Sequence, residues 1–461
     1  MSEQASLPLE ERLAFARSAA RKIADAGGRA YYVGGFVRDR VMGTPPGLSP
    51  DVDIEVHGIS PETLTGLLEG TAVVKKTGVS FGIYTVHGYG IDIAMPRTER
   101  ATGRGHRDFE TFVDPFLGPE KAALRRDFTV NAMMEDVLTG EILDFYGGRR
   151  DVERKVLRHV SDESFAEDPL RVLRAAQFAA RFGFTVDEKT AEICSSIPLD
   201  SLSSERVEGE MKKALLMSAS PSVFFEFLLK IGQTDVWFPE VAALAGVEQN
   251  PVFHPEGDVF RHTMLVLNAA ASLREKAGHR YPFMLSALCH DFGKPATTFK
   301  RDGVIHSYGH EEAGVETAGR FLSRGVGDKK TAHYVKNMVL LHMKPNALAF
   351  AEASVKSTNK MFDRSVDPED LLLLAEADSR GIIKNSEYVD VSPWLRERLA
   401  IYKKITSGPW IGGADLAEAG FEPGPDYSEI LEYAHKLRLA GINRDAALKQ
   451  TLAYARKLRN K

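Results

Sequence analysis

The spacing of apolar positions divides the chain into an N-terminal region of mixed periodicity and a long helical remainder. The stretch "LEERLAFARSAARKIADAGG" has apolar residues at helical spacing and ends at a glycine pair, which predicts an amphipathic helix. "AYYVGGFVRDRVMG" predicts a strand, a glycine turn and a helix, and "DVDIEV" predicts a strand. "SPETLTGLLEG" predicts a capped helix, and "FGIYTVHGYGIDIAM" predicts a hairpin with its turn near Gly88 to Gly90.

From Asp151 onward the periodic segments are helical, so the fold class predicted for the chain is α+β. A chain of 461 residues is too long for one ordinary core. We therefore predict a mixed α/β head over residues 1–150, a helical connector over 151–245, a histidine-rich helical domain over 246–390 and a helical tail over 391–461.

Composition limits the classes of protein to which the chain can belong. Hydrophobic residues make up 43% and the formal net charge is −5, which excludes an overall basic nucleic-acid binder but leaves room for a local basic face. Two cysteines in different parts of the chain give no disulfide framework, and we expect a reducing, cytoplasmic location. We expect no membrane association, because no segment is long and apolar enough. Nothing in the sequence indicates an oligomeric state.

Asp51 and Asp53 stand at alternate positions of a predicted strand, so their side chains leave the same face. Like charges this close repel unless a cation lies between them. Mg²⁺ prefers carboxylate oxygens and keeps substrate phosphates as further ligands. The pair alone is weak evidence, since an exposed strand face can carry two aspartates by chance.

Neighbouring motifs make a nucleotide site more plausible than chance. Gly34 and Gly35 allow backbone N–H groups to approach a phosphate, and Arg38 adds a forked donor, although a glycine pair is also simply a tight turn. Asp92 lies on a second strand, either as a third carboxylate near the metals or as a solvent-facing residue.

"RRDFTVNAM" supplies two arginines, an aspartate and an asparagine one helical turn further on. Arg125 and Arg126 can form a solvated face, but Asp127 directly after them can hold a ribose hydroxyl.

"EDPLRVLRAAQF" places Asp168 and Arg171 three residues apart, on one face of a predicted helix. One side chain accepts and the other donates, so together they can match the Watson–Crick edge of a base. The alternative is an intrahelical salt bridge, which contributes little stability. Arg206 and Glu210, spaced i to i+4, are predicted to brace the connector.

Four motifs, "VGGFVRD", "DVDIEV", "RRDFTVNAM" and "EDPLRVLRAAQF", closely resemble those of the class II tRNA nucleotidyltransferase and poly(A) polymerase family. The resemblance covers the head and the connector. The resemblance implies a head like that of polymerase beta, with Asp51 and Asp53 as catalytic ligands of Mg²⁺. It further implies that the nucleotide is bound by Gly34, Gly35, Arg38, Arg126, Asp127, Asp168, Arg171 and Arg174. Within this set Asp168 and Arg171 act as a protein template for C and then A. The chain departs from many relatives at Gln177, where they have arginine, and in the longer "GTPPGLSP", which we expect to be a surface loop.

Histidines and aspartates recur in the helical region after residue 250. A His-Asp pair inside an apolar helix needs compensation when buried, and a divalent ion would supply it. The ordered set resembles an HD-type phosphohydrolase domain. The resemblance implies a divalent transition metal held by His262, His290, Asp291 and Asp378, with a second metal at His310 and His342. It also implies phosphate binding by Lys294, whereas His254 and Asp258 are assigned to the start of the domain.

The leading hypothesis is an enzyme that builds or repairs the 3′ CCA end of tRNA with CTP and ATP, with a second activity of the HD domain on phosphate esters. A poly(A) polymerase, or an enzyme that adds only CC or only A, shares the same catalytic motifs. A phosphohydrolase with an RNA-binding head is a rival of another class. A (p)ppGpp synthetase-hydrolase has the two modules in the opposite order. The basic C-terminal stretch suits either tRNA phosphates or a solvated helix end; its cations are Lys449, Arg456, Lys457, Arg459 and Lys461.

Overall fold

The computed structural model describes residues 7–44, 51–69, 74–76, 83–101, 109–383 and 390–459. Most of the predicted surface loop "GTPPGLSP" and the basic residue Lys461 lie outside these ranges. The chain forms two compact units, one of Met1–Met211 with Phe227–Gln233 and one of Lys212–Glu226 with Thr234–Lys461. No helix in the described ranges is long and apolar enough to cross a membrane.

The first unit combines strands with helices. Strands β1 to β11 are Arg29–Val33, Val52–His57, Val74–Lys76, Ile83–Val86, Ile91–Ala94, Arg97–Ala101, Phe109–Val113, Met134–Asp136, Ile142–Leu143, Val156–Leu157 and Thr185–Val186. Helices α1 to α8 are Leu9–Asp25, Gly35–Val41, Pro61–Leu68, Pro119–Leu124, Gly148–Arg154, Asp162–Ala166, Leu170–Phe182 and Glu188–Ser196, with a 3-10 turn at Thr129–Asn131. Helices α9 (Ser204–Met217) and α10 (Ser222–Lys230) contain residues of both units.

The second unit is helical apart from one small hairpin. Helices α11 to α23 are Pro239–Ala242, Val259–Leu273, Arg280–Cys289, Lys294–Thr297, His310–Gly325, Lys329–Leu341, Lys344–Phe350, Val355–Arg364, Pro368–Gly381, Ser392–Thr406, Gly413–Glu418, Tyr427–Leu439 and Arg444–Arg459. Strands β12 and β13 are Phe299–Arg301 and Val304–His306, and Arg274–Lys276 is a 3-10 turn. The predicted α+β class is confirmed.

A seven-stranded sheet in the order β3-β4-β5-β2-β1-β8-β9 forms the centre of the first unit. Strand β2 runs antiparallel to β1 and parallel to β5, and β4 with β5 forms the predicted hairpin. Both faces of β1 are covered, because Ala30 and Tyr32 belong to one apolar cluster and Tyr31 and Val33 to another. This burial fixes the register in which β1 delivers the glycine turn beside β2.

Helices α12, α13, α16 and α19 pack against one another in the second unit. Their apolar faces are buried, and α13 places Leu285 and Leu288 in the interior. The segment after α13 approaches α15 closely at Gly293, where a Cβ atom would lie 2.0 Å from the carbonyl oxygen of His310 and 2.5 Å from the nitrogen of Gly314.

We predict that Gly293→Ala destabilises the second unit, because the added methyl group would overlap the backbone of α15. Overpacking of this kind costs about 1–3 kcal/mol, and thermal or urea unfolding of the full chain measures it. Gly325→Ala is the matched control on α15, since a Cβ atom there meets nothing within 4 Å. Equal unfolding midpoints for the two variants would contradict the close approach.

Candidate nucleotide and metal sites

Three carboxylates meet at the start of β2 and β5. Asp51 directly precedes β2, and Asp53 lies opposite Asp92 in the parallel register of β2 and β5. Burial raises the pKa of Asp53 to about 6, and the charges of Asp92 and Asp51 add to this effect against the attraction of Arg126. A divalent cation would relieve the repulsion among these groups, so the carboxylates fit Mg²⁺.

The glycine turn brings the backbone to this acidic group. Gly34 has a φ of 66°, a conformation that favours glycine. A Cβ atom on Gly34 would lie 3.6 Å from Arg126 Nη1 and 3.8 Å from Asp53 Oδ2. The turn, the acidic strand and one predicted phosphate ligand therefore lie side by side.

Glu55, which the sequence analysis did not single out, holds Arg126 in place. Arg126 Nη2 donates to Glu55 Oε2 at 3.0 Å, and the other oxygen of Glu55 lies 2.9 Å from His57 Nε2. Burial opposes ionisation of Glu55, but His57 and Arg126 outweigh it and lower the pKa of Glu55. The "D-x-D-x-E" alternation was the available signal, because it puts Glu55 on the same face as the aspartates.

A cavity of about 310 Å³ opens beside these groups. Its lining includes two acids of the metal site, Asp53 and Asp92, and the arginines Arg97, Arg125, Arg126 and Arg171. Guanidinium groups facing carboxylates across a small cavity suit a phosphate chain that carries a metal ion.

Three of the predicted nucleotide ligands form a buried network outside that cavity lining. Arg38 Nη1 donates to Asn131 Oδ1 at 2.8 Å, and Asn131 Nδ2 donates to Asp127 Oδ1 at 3.0 Å. Arg174 Nε donates to Asp127 Oδ2 at 2.7 Å. Arg38 also lies over the ring of Phe182 and 3.3 Å from the Cβ position of Gly35. The network links the glycine turn to α7.

The two predicted base readers have partners other than each other. Both carboxylate oxygens of Asp168 accept from Arg206 Nη2, at 3.0 and 2.8 Å. Arg171 Nη2 donates to the carbonyl oxygen of Arg125 at 2.8 Å, and its Nη1 donates to Ser164. The alternative of an intrahelical salt bridge between Asp168 and Arg171 is therefore wrong.

Gln177, the departure from the family pattern, is 1% exposed on α7. Its amide nitrogen has no hydrogen-bond partner among the residues that the structure describes. The side chain is thus part of the interior of the connector in this structure.

In the second unit, the six predicted metal ligands lie close together, with Asp291 at the centre of the group. Asp291 Oδ2 lies 3.3 Å from His290 Nε2 and 3.8 Å from His262 Nε2, and Asp378 Oδ1 lies 3.0 Å from His262 Nε2. On the other side, Asp291 Oδ1 lies 3.6 Å from His310 Nε2 and 3.8 Å from His342 Nε2. The carboxylate of Asp291 therefore faces two separate groups of ligand atoms.

The ring orientation of these histidines suits metal binding. The Nδ1 atoms of His290, His310 and His342 lie 2.7 to 2.8 Å from backbone carbonyl oxygens, so each can donate there and leave Nε2 with a free lone pair. His290 Nε2 and Asp291 Oδ1 are buried without a hydrogen-bond partner in the described part of the chain. A divalent cation would satisfy these atoms, so the donor set fits a metal.

His262 is oriented by Glu256, a residue that the sequence analysis did not identify. Glu256 Oε1 lies 2.8 Å from His262 Nδ1 and 2.9 Å from His254 Nδ1. Burial opposes the charged form of His262, but the hydrogen bonds to Asp378 and Glu256 outweigh it and raise its pKa to about 9. His254, which the sequence analysis assigned to the start of the domain, lies beside His262, with 4.7 Å between the two ring centroids. Asp258 does lie at the start of the domain, as the N-cap of α12.

Lys294 is buried at the edge of this cluster. Its Nζ lies 2.7 Å from Asp291 Oδ2 and donates to Gln249 Oε1 at 2.7 Å. A pocket of about 1020 Å³ extends outward from Asp291 and Lys294, and its outer wall includes the exposed side chains of Phe253, Tyr308 and Phe350. A phosphate group at Lys294 would therefore have room for a large organic group beside it.

Comparison with known proteins identifies the family of the chain. The Poly A polymerase head domain matches residues 30–158. The multifunctional CCA protein of Pasteurella multocida (strain Pm70) is 36% identical over 411 residues, which cover 86% of this chain and 92% of the relative. The multifunctional CCA protein of Halorhodospira halophila (strain DSM 244 / SL1) is 39% identical over 301 residues, which cover 64% of this chain and 68% of the relative.

Solved structures share the fold over nearly the whole chain. The Bacillus stearothermophilus CCA-adding enzyme in complex with CTP has a TM-score of 0.65 at 21% identity, and the match covers 97% of this chain and 99% of that one. The Thermotoga maritima CCA-adding enzyme complexed with tRNA_CCA has a TM-score of 0.64 at 20% identity, with 98% and 99% covered.

The head-domain match and the relatives define the class of protein as a nucleotidyltransferase. The chain belongs to the family of the multifunctional CCA proteins. The resemblance read from the sequence motifs is thereby confirmed.

We predict that Asp127→Asn destabilises the first unit, because it removes the charge that Arg174 faces. Removing one partner of a buried ion pair costs about 3–5 kcal/mol, and we expect about 2 kcal/mol because Arg174 is 31% exposed. Urea unfolding at pH 7 measures the loss. Glu167→Gln, which removes the charge of an exposed pair with Arg125, is the control and should cost less than about 1 kcal/mol.

The sign of the pH dependence follows from the direction of the shift. Burial raises the pKa of Asp127, but Arg174 and Asn131 outweigh it, so its pKa in the folded chain is lowered. Its contribution is therefore present above the unfolded pKa of about 4 and lost as the pH falls. The stability gap between the wild type and Asp127→Asn should narrow in acid. A gap that widened as the pH fell would contradict this assignment.

Proposed function

We propose that the first unit transfers nucleotides from CTP and ATP to the 3′ end of tRNA and so builds or repairs its CCA terminus. The observation that supports this most is the acidic pair beside an arginine-lined cavity, with Asp168 and Arg171 on the same unit. In the reaction the 3′ hydroxyl oxygen of the RNA loses its proton to solvent and forms a bond to the α-phosphorus. The bond from the α-phosphorus to the oxygen that bridges it to the β-phosphorus breaks, and pyrophosphate leaves with the electron pair.

Each residue has a role in this proposal. Asp51 and Asp53 would hold Mg²⁺, which lowers the pKa of the attacking hydroxyl and neutralises charge on the triphosphate. Gly34 and Gly35 admit the phosphates close to the backbone, and Arg126 donates to them from its position against Glu55. Arg38 and Asp127 belong to the network behind the glycine turn.

Base selection is assigned to Asp168 and Arg171, with Arg174 as a further contact. At the Watson–Crick edge, cytosine and adenine carry an amino group on C4 or C6 next to an unprotonated ring nitrogen, while uracil and guanine carry a carbonyl oxygen on the same carbon next to a ring N–H. A carboxylate accepts from an amino group and repels a carbonyl oxygen, whereas an arginine donates to ring nitrogens and oxygens. This chemistry supports C and A over U and G.

The domain boundaries remain a proposal. We assign residues 1–150 to the nucleotidyltransferase head, 151–245 to the connector that reads the base, 246–390 to the HD domain and 391–461 to a tail that contacts tRNA. The basic end of α23 supports the last assignment, because Arg456 and Lys457 stand in its final turn.

We predict that Asp53→Asn abolishes nucleotide addition. The test uses tRNA ending at the discriminator base, Mg²⁺, and CTP and ATP offered singly and together, with products resolved to one nucleotide. The wild type should add C, C and A and then stop. Loss of a metal ligand should reduce the rate on the order of a thousandfold, since a metal supplies several kcal/mol.

Asp136→Asn is the control for that variant, because Asp136 belongs to the same sheet and its carboxylate accepts from the backbone of Leu138 and Thr139 at the turn after β8. Full activity of Asp53→Asn would contradict the assignment of Asp53 as a metal ligand. A ladder of A with ATP alone would identify a poly(A) polymerase instead, and addition of only CC or only A would identify an enzyme of restricted product.

We also propose that the second unit is a metal-dependent phosphohydrolase. His262, His290 and Asp291 lie together with Asp378 on one side, and Asp291 lies with His310 and His342 on the other, which supports a pair of divalent transition metals. Metals held there would supply an activated water for cleavage of a phosphate ester. Lys294 would contact the phosphate, and the pocket beside it would take the organic group.

Metal counting on the purified full chain tests this second proposal. We predict that Asp291→Asn, stripped by chelator and reloaded with Mn²⁺, loses metal from both positions, because its carboxylate faces both groups. His310→Ala combined with His342→Ala should lose about half as much, since it removes ligands from one group only. His333→Ala is the control, because His333 is an exposed histidine on α16, the helix whose C-cap is His342. Unchanged metal content in Asp291→Asn would overturn the assignment.

A further inference from the structure

Arg206 forms an ion pair with Asp168, whose carboxylate would read the base. Its Nη2 lies within hydrogen-bond distance of both oxygens of Asp168, at 3.0 and 2.8 Å. The two side chains are 32% and 34% exposed, so the pair lies at the surface of the unit, where a nucleotide can reach it. Asp168 precedes α7 and Arg206 lies in the first turn of α9, 38 residues further along the chain.

The two arginines on this face of α7, the helix assigned to base reading, have different partners. Arg171 donates to the carbonyl oxygen of Arg125 and to Ser164, and Arg174 donates to Asp127. Arg206 is thus the cation that holds Asp168. The sequence interpretation of Arg206 as part of a general brace did not connect it with base reading.

The position of a carboxylate decides which bases it accepts. A fixed carboxylate oxygen accepts from the amino group of cytosine or adenine and repels the carbonyl oxygen of uracil or guanine. A carboxylate free to rotate away loses both effects. A guanidinium that is free would do the reverse, since it donates to carbonyl oxygens. Asp168 Oδ1 also accepts from the backbone N–H of Leu170 at 3.1 Å, so Arg206 is the second group that holds the carboxylate and the one that reaches both oxygens. Pairing Arg206 with Asp168 therefore serves selection twice, because it helps to fix the acceptor and withholds a donor.

We propose that Arg206 is a positioning residue for base selection, which fixes the carboxylate of Asp168 for the amino group of C or A and is itself kept from U and G. This inference rests on the proposed function of Asp168 as a base reader. It assigns to α9 a direct part in nucleotide specificity.

The test is single-nucleotide addition to tRNA that lacks its CCA end, with kcat and KM measured separately for CTP and UTP. Arg206→Met keeps the apolar stem and removes the charge. We expect the ratio of kcat/KM for CTP over UTP to fall about tenfold, within the range of one base contact. Arg206→Lys restores the charge with a single donor group and should recover part of the ratio.

Arg324→Met is the matched control in the second unit. Arg324 makes a bidentate pair with Glu240 at 2.8 Å and is 29% exposed, so its loss costs a similar ion pair outside the nucleotidyltransferase unit. It should leave the CTP to UTP ratio unchanged. Thermal unfolding of the variants separates a loss of fold, which lowers addition of both nucleotides equally, from a loss of selection.

The outcomes are distinct. A selective wild type, a non-selective Asp168→Ala and an Arg206→Met whose CTP to UTP ratio stays within about twofold of wild type would overturn the role of Arg206 and leave the proposed function intact. A wild type that adds no nucleotide, or that adds C and U equally, would remove the proposed function and the inference together. A lowered ratio in Arg206→Met with partial recovery in Arg206→Lys supports the inference.

Discussion

The repulsion among the carboxylates at β2 and β5 is the constraint around which the first unit is organised. The parallel register sets Asp53 directly opposite Asp92, and Asp51, directly before β2, adds a third negative charge that raises the pKa of Asp53. The packing of β1 on both faces holds this arrangement, because a one-residue slip of β2 would turn the acids toward the apolar cluster and the apolar side chains of β2 toward the acidic site. The fold thus maintains a cluster of negative charge, which Arg126 offsets in part.

Positive charge is distributed around that cluster through carboxylate partners. Glu55 holds Arg126, Asp127 holds Arg174, and Asp168 is held by Arg206. Each arginine is thereby fixed in orientation before any ligand arrives, which reduces the entropy lost when it binds.

Sequence patterns predicted those parts of the sites that depend on local geometry. The D-x-D spacing predicted that Asp51 and Asp53 repel each other, and the charge of Asp51 does raise the pKa of Asp53. The glycine turn corresponds to the positive φ of Gly34. Patterns did not predict the partner of Asp168, because the position of α9 against α7 is set by tertiary packing over 38 residues. Patterns did not identify Glu256 for the same reason, since its role depends on the loop before α12 folding back onto His262.

Helix ends explain why the histidines of the second unit are ready to bind metal. His290 and His342 are the C-cap residues of α13 and α16, where the last carbonyl oxygens lack intrahelical partners. Each ring donates from Nδ1 to the carbonyl three residues earlier, which satisfies the helix end and points Nε2 at Asp291. Burial keeps the imidazole of His342 neutral, because it lowers the pKa of this group to about 4. Local helix chemistry therefore supplies the tautomer that a metal ligand needs.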